Sequence, residues 1–130
     1  MIVHGIDLVS VGKFEKMIGS KRYLDRCFTA NEQLHCNGSA ERYAARFAAK
    51  EALLKALGLG IVEGVSLKDV EVVFKPSGSP DLKLCGAVAA AAEESGIESW
   101  SLSFAHSAGF AVASVIGFAS GSGRSTTDPG

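Results

Sequence analysis

The sequence predicts an α+β domain in which a largely antiparallel sheet packs on one long helix. Three observations carry that prediction. Residues 39–57 are rich in strong helix formers and stop at Gly58-Leu-Gly60. Apolar segments of strand length stand at the N-terminus, at 70–84 and at 100–118, with turn residues between them. The order is strand, helices, hairpin, helix, hairpin, rather than a β-α alternation that would imply a parallel sheet. At 130 residues and 47% apolar content, one domain with one core is expected, over residues 1–118. Residues 119–130 lack large apolar side chains, are rich in Gly, Ser and Thr, and are expected to form a disordered tail.

Taken in order, Met1 to Leu8 is expected as a short buried strand, apolar at Ile2, Val3, Ile6 and Leu8, with Asp7 near its end. An acidic residue there either caps the following helix or serves as a metal ligand. Val11, Phe14, Met17 and Ile18 fall at helical spacing between Ser10 and Gly19 and leave Lys13 and Lys16 on a basic outer face. Positive character continues through Lys21, Arg22 and Arg26. Thr29 and Glu32 have capping-box spacing and open a short helix reaching about His35. Ser39 then caps the long helix to Leu57. Ile61 to Asp69 is a loop; Val70 to Lys75 and Leu82 to Leu84 form a hairpin about the Pro76–Pro80 turn; Gly86 to Glu94 is an alanine-rich helix. Trp100, Leu102 and Phe104 alternate with Ser101, Ser103 and Ala105, the chain turns at Ser107–Gly109, and Phe110 to Phe118 closes the sheet.

Charge and cysteine usage narrow the function. With 13 Lys+Arg against 14 Asp+Glu, no basic stripe suits a nucleic-acid binder, so an anionic partner must be met locally. Cys27, Cys36 and Cys85 are odd in number and lack metal-site spacing, which fits reduced thiols in a cytoplasmic protein. No apolar run approaches the length of a membrane span, and no signal peptide is expected.

The long helix carries the chemistry. At about 100° per residue, Phe47, Leu54 and Leu57 lie within about 40° of one line, with Glu51 and Lys55 on the shoulder beside it. Alone, that shoulder is an ordinary i, i+4 ion pair on a solvated face. Lys50 lies on the apolar stripe, where it either snorkels or meets a phosphate. His106, at a strand end beside a turn, is either a satisfied edge residue or a catalytic one. Two carboxylates, a lysine and a histidine also suit a metal-dependent nucleotide or diphosphate hydrolase, and the same shape suits a non-catalytic binding module.

Gly5-Ile-Asp7-Leu, Phe28-Thr-Ala-Asn-Glu32, Arg46-Phe-Ala-Ala-Lys-Glu51-Ala-Leu-Leu-Lys55-Ala-Leu-Gly58, Gly78-Ser-Pro80 and Ser103-Phe-Ala-His106-Ser together resemble the holo-(acyl-carrier-protein) synthases, the short 4′-phosphopantetheinyl transferases, over residues 1 to 118. The resemblance implies the fold of that family and transfer of phosphopantetheine from coenzyme A to a serine of apo acyl carrier protein, with release of adenosine 3′,5′-bisphosphate, in fatty acid biosynthesis. It implies Mg²⁺ on Asp7 and Glu51, a donor set that magnesium chemistry favours because substrate phosphate and water complete the shell. Lys55 is expected at the leaving phosphate, and Arg46, Lys50 and His106 in coenzyme binding. Glu51 is assigned as base for the serine, directly or through a water held by the metal, with Asp7 or His106 as alternatives. Lys13 and Arg22 match the residues that meet an acidic carrier helix, and a homotrimer with coenzyme sites between subunits is implied. The chain departs from the family pattern at Lys13 (usually Arg), Ser10 (often acidic), Ser79 (usually basic) and Ala105 (often Ser or Thr), changes that touch affinity and carrier preference and leave the metal ligands and Lys55 intact.

Overall fold

The computed structural model describes residues 1–60 and 64–119. In chain order these form β1 (Ile2–Ser10), α1 (Val11–Met17), α2 (Lys21–Cys27), α3 (Ala30–Cys36), α4 (Ala40–Leu57), a 3₁₀ turn (Leu67–Asp69), β2 (Val70–Phe74), β3 (Pro80–Leu84), α5 (Gly86–Glu94), β4 (Ile97–Ser107) and β5 (Phe110–Ala119). The strands make a three-stranded sheet, ordered β1-β5-β4, and a separate β2-β3 hairpin, and every pairing is antiparallel. Helix α4 lies across the three-stranded sheet and also touches β2. The expected α+β class and the packing of antiparallel strands on the long helix are therefore present.

Local signals account for most helix ends. Ser20, Thr29 and Ser39 each accept a backbone N–H of the helix they precede, and Thr29 with Glu32 closes a full capping box. Helix α4 ends at Gly58 in the left-handed region, φ 70°. The basic stretch after Ser20 is α2, which sequence spacing left unassigned. It is about two turns of helix held by Leu24 and Cys27 in the core.

Four expectations change. The apolar residues of β1 are not all core: strand alternation turns Gly5, Asp7 and Val9 toward α4 and leaves Ile2, Ile6 and Leu8 on the outer face, 66%, 56% and 63% exposed. Asp7 is not a cap, because β1 runs on to Ser10, which occupies the N-cap position of α1. The buried face of α4 is not centred on Phe47 and Leu57, which are half-buried, but on Ala44, Ala48, Ala49, Ala52 and Leu53, none of them exposed. At the C-terminal boundary, Ala119 still pairs in β5 opposite Ile97 and donates its N–H to the Met1 carbonyl. The remainder of the expected tail, like Ile61 to Glu63 of the expected loop, lies outside the described residues.

Small side chains on both surfaces bring β1 and α4 close. A Cβ at Gly5 would stand 1.8 Å from the Ala52 carbonyl oxygen and 2.8 Å from the Ala56 nitrogen, both backbone atoms that cannot swing aside. Gly5→Ala must therefore push the strand off the helix. A loss of at least about 1–3 kcal/mol is expected in urea unfolding, and a variant with the parental midpoint would show that the strand moves freely.

Candidate active site

Strand alternation places Asp7 on the same face of β1 as Gly5, two residues on, so the close contact at Gly5 delivers its carboxylate to the side of α4. There Asp7 Oδ1 accepts from Lys55 Nζ at 2.7 Å, and the same ammonium donates to the Ile6 carbonyl at 3.2 Å. The Asp7 side chain is 14% exposed and that of Lys55 54%, so the pair opens to solvent on the lysine side. Glu51 sits one helical turn before Lys55 and is half-buried. Lys13 of α1 leans over the same turn of α4, its ammonium 4.6 Å from the Phe47 ring centre and 5.6 Å from that of Phe14.

The charges in this cluster act on one another. Burial raises the Glu51 carboxyl above its ordinary range, the Asp7 charge raises it further, and Lys55 and Lys13 pull the other way. Lys55 is held above the usual lysine range by its hydrogen bond to Asp7 and by that carboxylate's charge. Two carboxylates whose charges repel each other at the edge of the solvent are donors of the kind a divalent cation takes. Among the described residues no group of three or more His, Cys, Asp or Glu side chains is gathered. Asp7 and Glu51 thus fit an oxygen-preferring ion that keeps water and takes substrate phosphate as further ligands, which is the habit of Mg²⁺.

The other sequence-predicted residues lie elsewhere. Lys50 is fully buried: its ammonium donates to Glu32 Oε1 at 2.8 Å, to the Leu67 carbonyl at 3.0 Å and to the Val70 carbonyl. It neither snorkels nor presents a proton to solvent. Burial pulls its affinity for the proton down, and the Glu32 carboxylate opposes that pull. Arg46 is 5% exposed, donates Nη1 to the Arg42 carbonyl at 3.2 Å, and stacks 5.2 Å from the centre of the Phe74 ring. Its Nε is buried and has no acceptor among the described residues. His106 is exposed near the start of α4, with Nδ1 3.4 Å from Glu41 Oε2. Arg22 is exposed on α2. Within one chain the fold gathers Asp7, Glu51, Lys55 and Lys13, and leaves Arg46 and His106 apart from them.

Three contributors had no clear mark in the sequence. Phe74, 42% exposed, shields the Arg46 guanidinium and meets Phe104 edge-on. Glu32 could be read as a helix cap, but not as the buried counter-ion of Lys50. Val65 and Leu67 join Glu51, Leu54 and Gly60 around a slot of about 120 Å³ beside Glu51. A larger cleft of about 540 Å³ between α5 and β4 shares no residue with this cluster, and chemistry rather than volume marks the site.

Residues 4–114 match the family model described as the 4′-phosphopantetheinyl transferase superfamily. A holo-[acyl-carrier-protein] synthase of Geobacter metallireducens is 44% identical over 117 residues, spanning 86% of this chain and 93% of the relative. The crystal structure of the Helicobacter pylori holo-[acyl-carrier-protein] synthase in complex with coenzyme A superposes with a TM-score of 0.80 at 33% identity, covering 91% of this chain and 100% of that one. A Bacillus anthracis holo-(acyl-carrier-protein) synthase in complex with CoA (3′,5′-ADP) gives a TM-score of 0.72 at 35% identity over 88% of this chain and 94% of the other.

The raised Glu51 carboxyl makes a stability prediction. A carboxyl whose proton is held more tightly in the folded state favours folding below its unfolded range, and that contribution is lost as pH rises through the folded value. At neutral pH without divalent cation, Glu51→Gln is therefore expected to raise the melting temperature, and the gain should shrink as the buffer is taken into the carboxylate range. A lower melting temperature for the variant at neutral pH would contradict the like-charge account.

Proposed function

The chain belongs to the 4′-phosphopantetheinyl transferase superfamily, among its holo-(acyl-carrier-protein) synthases, and on that footing we propose that coenzyme A is the donor, a serine of apo acyl carrier protein the acceptor, and adenosine 3′,5′-bisphosphate the product released, with Mg²⁺ as cofactor and fatty acid biosynthesis as the setting. The observation that carries this reading is the cluster of Asp7, Glu51 and Lys55 at one open edge of α4. Phosphoryl transfer asks a protein chiefly to position the partners and offset charge, and these side chains suit both tasks. A Mg²⁺ on Asp7 and Glu51, when bound, would neutralise the diphosphate of the coenzyme.

The chain's own residues do the rest. Lys55 spends two of its three N–H donors on Asp7 and the Ile6 carbonyl. The third is free for the oxygen that leaves with the adenosine bisphosphate. As the serine oxygen bonds to phosphorus and the bond to the leaving oxygen breaks, Glu51 takes the serine proton, directly or through a water that a bound Mg²⁺ would hold. Lys13, Lys16 and Arg22, all exposed on α1 and α2, offer a basic face to an acidic carrier helix although the whole chain carries a net charge of -1.

Arg46 and His106 remain assigned to the coenzyme, and their distance from Glu51 favours a site shared between copies of the chain. Arg46 projects about 140° around α4 from Glu51, and Glu41, where His106 rests, is about 15 Å along the axis from it. The unpartnered Nε of Arg46 suits a phosphate oxygen. The outer face of the sheet supports self-association, since Ile6, Leu8, Phe110 and Phe118 are exposed together on β1 and β5. A homotrimer that covers this face and completes each coenzyme site from a neighbour is the proposed assembly. A cytoplasmic setting agrees with the cysteines, none of them paired among the described residues.

Mass spectrometry of apo carrier protein incubated with coenzyme A and Mg²⁺ tests the reaction. Gain of the phosphopantetheine mass is expected, whereas free phosphopantetheine with unmodified carrier would mean hydrolysis. At saturating Mg²⁺, Glu51→Gln is expected to lower kcat by about 10²-fold or more, and near-normal turnover would remove Glu51 as the base. Leu8→Glu is expected to sediment as a monomer with little transfer; a fully active monomer would refute the shared site.

A further inference from the structure

We propose that Lys50 is a positioning residue of the transfer site: its buried ammonium straps the 3₁₀ segment to α4 and so sets the width of the slot beside Glu51 that receives the coenzyme. The inference rests on Asp7, Glu51 and Lys55 being the transfer site. Lys50 has no exposure, and its three donors are all spent, on Glu32, on the Leu67 carbonyl and on the Val70 carbonyl. Nothing is left to meet a substrate phosphate.

The same Leu67 whose carbonyl Lys50 grips lends its side chain to the wall of the slot that faces Glu51. Lys50 and Glu51 are neighbours on α4 about 100° apart, so one turn of helix holds the far wall with one side chain and forms the near wall with the other. Among the described hydrogen bonds, those of Lys50 are the ones that join α4 to the stretch from Gly64 to Val70. Glu32 is locked in turn, with Oε1 also accepting from Thr29 N at 2.9 Å and Oε2 from Val72 N at 2.7 Å. The strap therefore fixes α3 and β2 as well as the 3₁₀ turn.

A buried ion pair is a poor way to gain stability, because desolvation offsets most of its attraction and apolar residues of similar volume often do as well. What an apolar pair would not supply is the directed grip on the two carbonyls. A methionine in place of Lys50 would fill the volume and leave the slot wall unheld.

The test compares Lys50→Met/Glu32→Gln, a neutral pair of similar size, and Leu67→Ala, which removes the wall but leaves the strap, with the parent enzyme. Initial rates of carrier modification are measured at a temperature where circular dichroism shows each variant folded. KM for coenzyme A is expected to rise by about tenfold or more in both variants, with KM for the carrier unchanged. A purely structural Lys50 would lower the amount of active enzyme and move neither KM. An unchanged KM for coenzyme A in either variant overturns the proposal, and Leu67→Ala alone decides if the double variant does not fold. Absence of transfer by the parent enzyme would instead reject the site itself.

Discussion

The contact on which everything else depends is the one between Gly5 and Ala52. A helix resting on a sheet normally stands off by the thickness of its side chains. Here the helix offers alanines and the strand offers no side chain at all, so the two backbones nearly touch. The consequence is chemical as much as structural. A strand residue two places on cannot avoid the helix flank, and Asp7 arrives at Lys55 with a hydrogen bond of 2.7 Å. The Gly-x-Asp spacing thus has a steric half and an electrostatic half, with glycine supplying the proximity and aspartate using it to pair with Lys55.

Close packing also explains how a small domain separates its core from its chemistry. The interior of α4 is filled by alanines and Leu53 facing the sheet, and by the Lys50 network facing β2. Glu51 and Lys55 take the remaining flank, which is partly open to solvent. Burial, with the Asp7 charge beside it, raises the affinity of Glu51 for its proton.

Much of this was legible in the sequence, and the gaps share a cause. Helix starts at Thr29 and Ser39, the stop at Gly58, the hairpin about Gly78 and the alternation from Trp100 to Phe104 are local signals, and the structure contains them. So was the candidate site, because Asp7, Glu51 and Lys55 lie in dense motifs with a known resemblance. What escaped depends on partners distant in the chain. The apolar residues of β1 looked like core because periodicity reports a side and not what covers it. Lys50 looked like a snorkelling or phosphate-binding lysine because its counter-ion stands 18 residues away on α3. The alanine face of α4 was passed over in favour of Phe47 and Leu57, since hydrophobicity scales reward size whereas close approach rewards smallness.

The strand order β1-β5-β4 carries a consequence of another kind. The middle strand follows β1 and β4 in the chain, and β1, which bears Asp7, pairs with no other strand among the described residues. Until residues 110–119 have been made, the first strand has no edge to join, however early it was translated. Contacts of such sequence separation form late and slowly. A chain that stopped short of residues 110–119, even one containing Asp7, Glu51 and Lys55, would lack the strand that holds Asp7 against the helix, so the topology ties assembly of the candidate site to synthesis of β5.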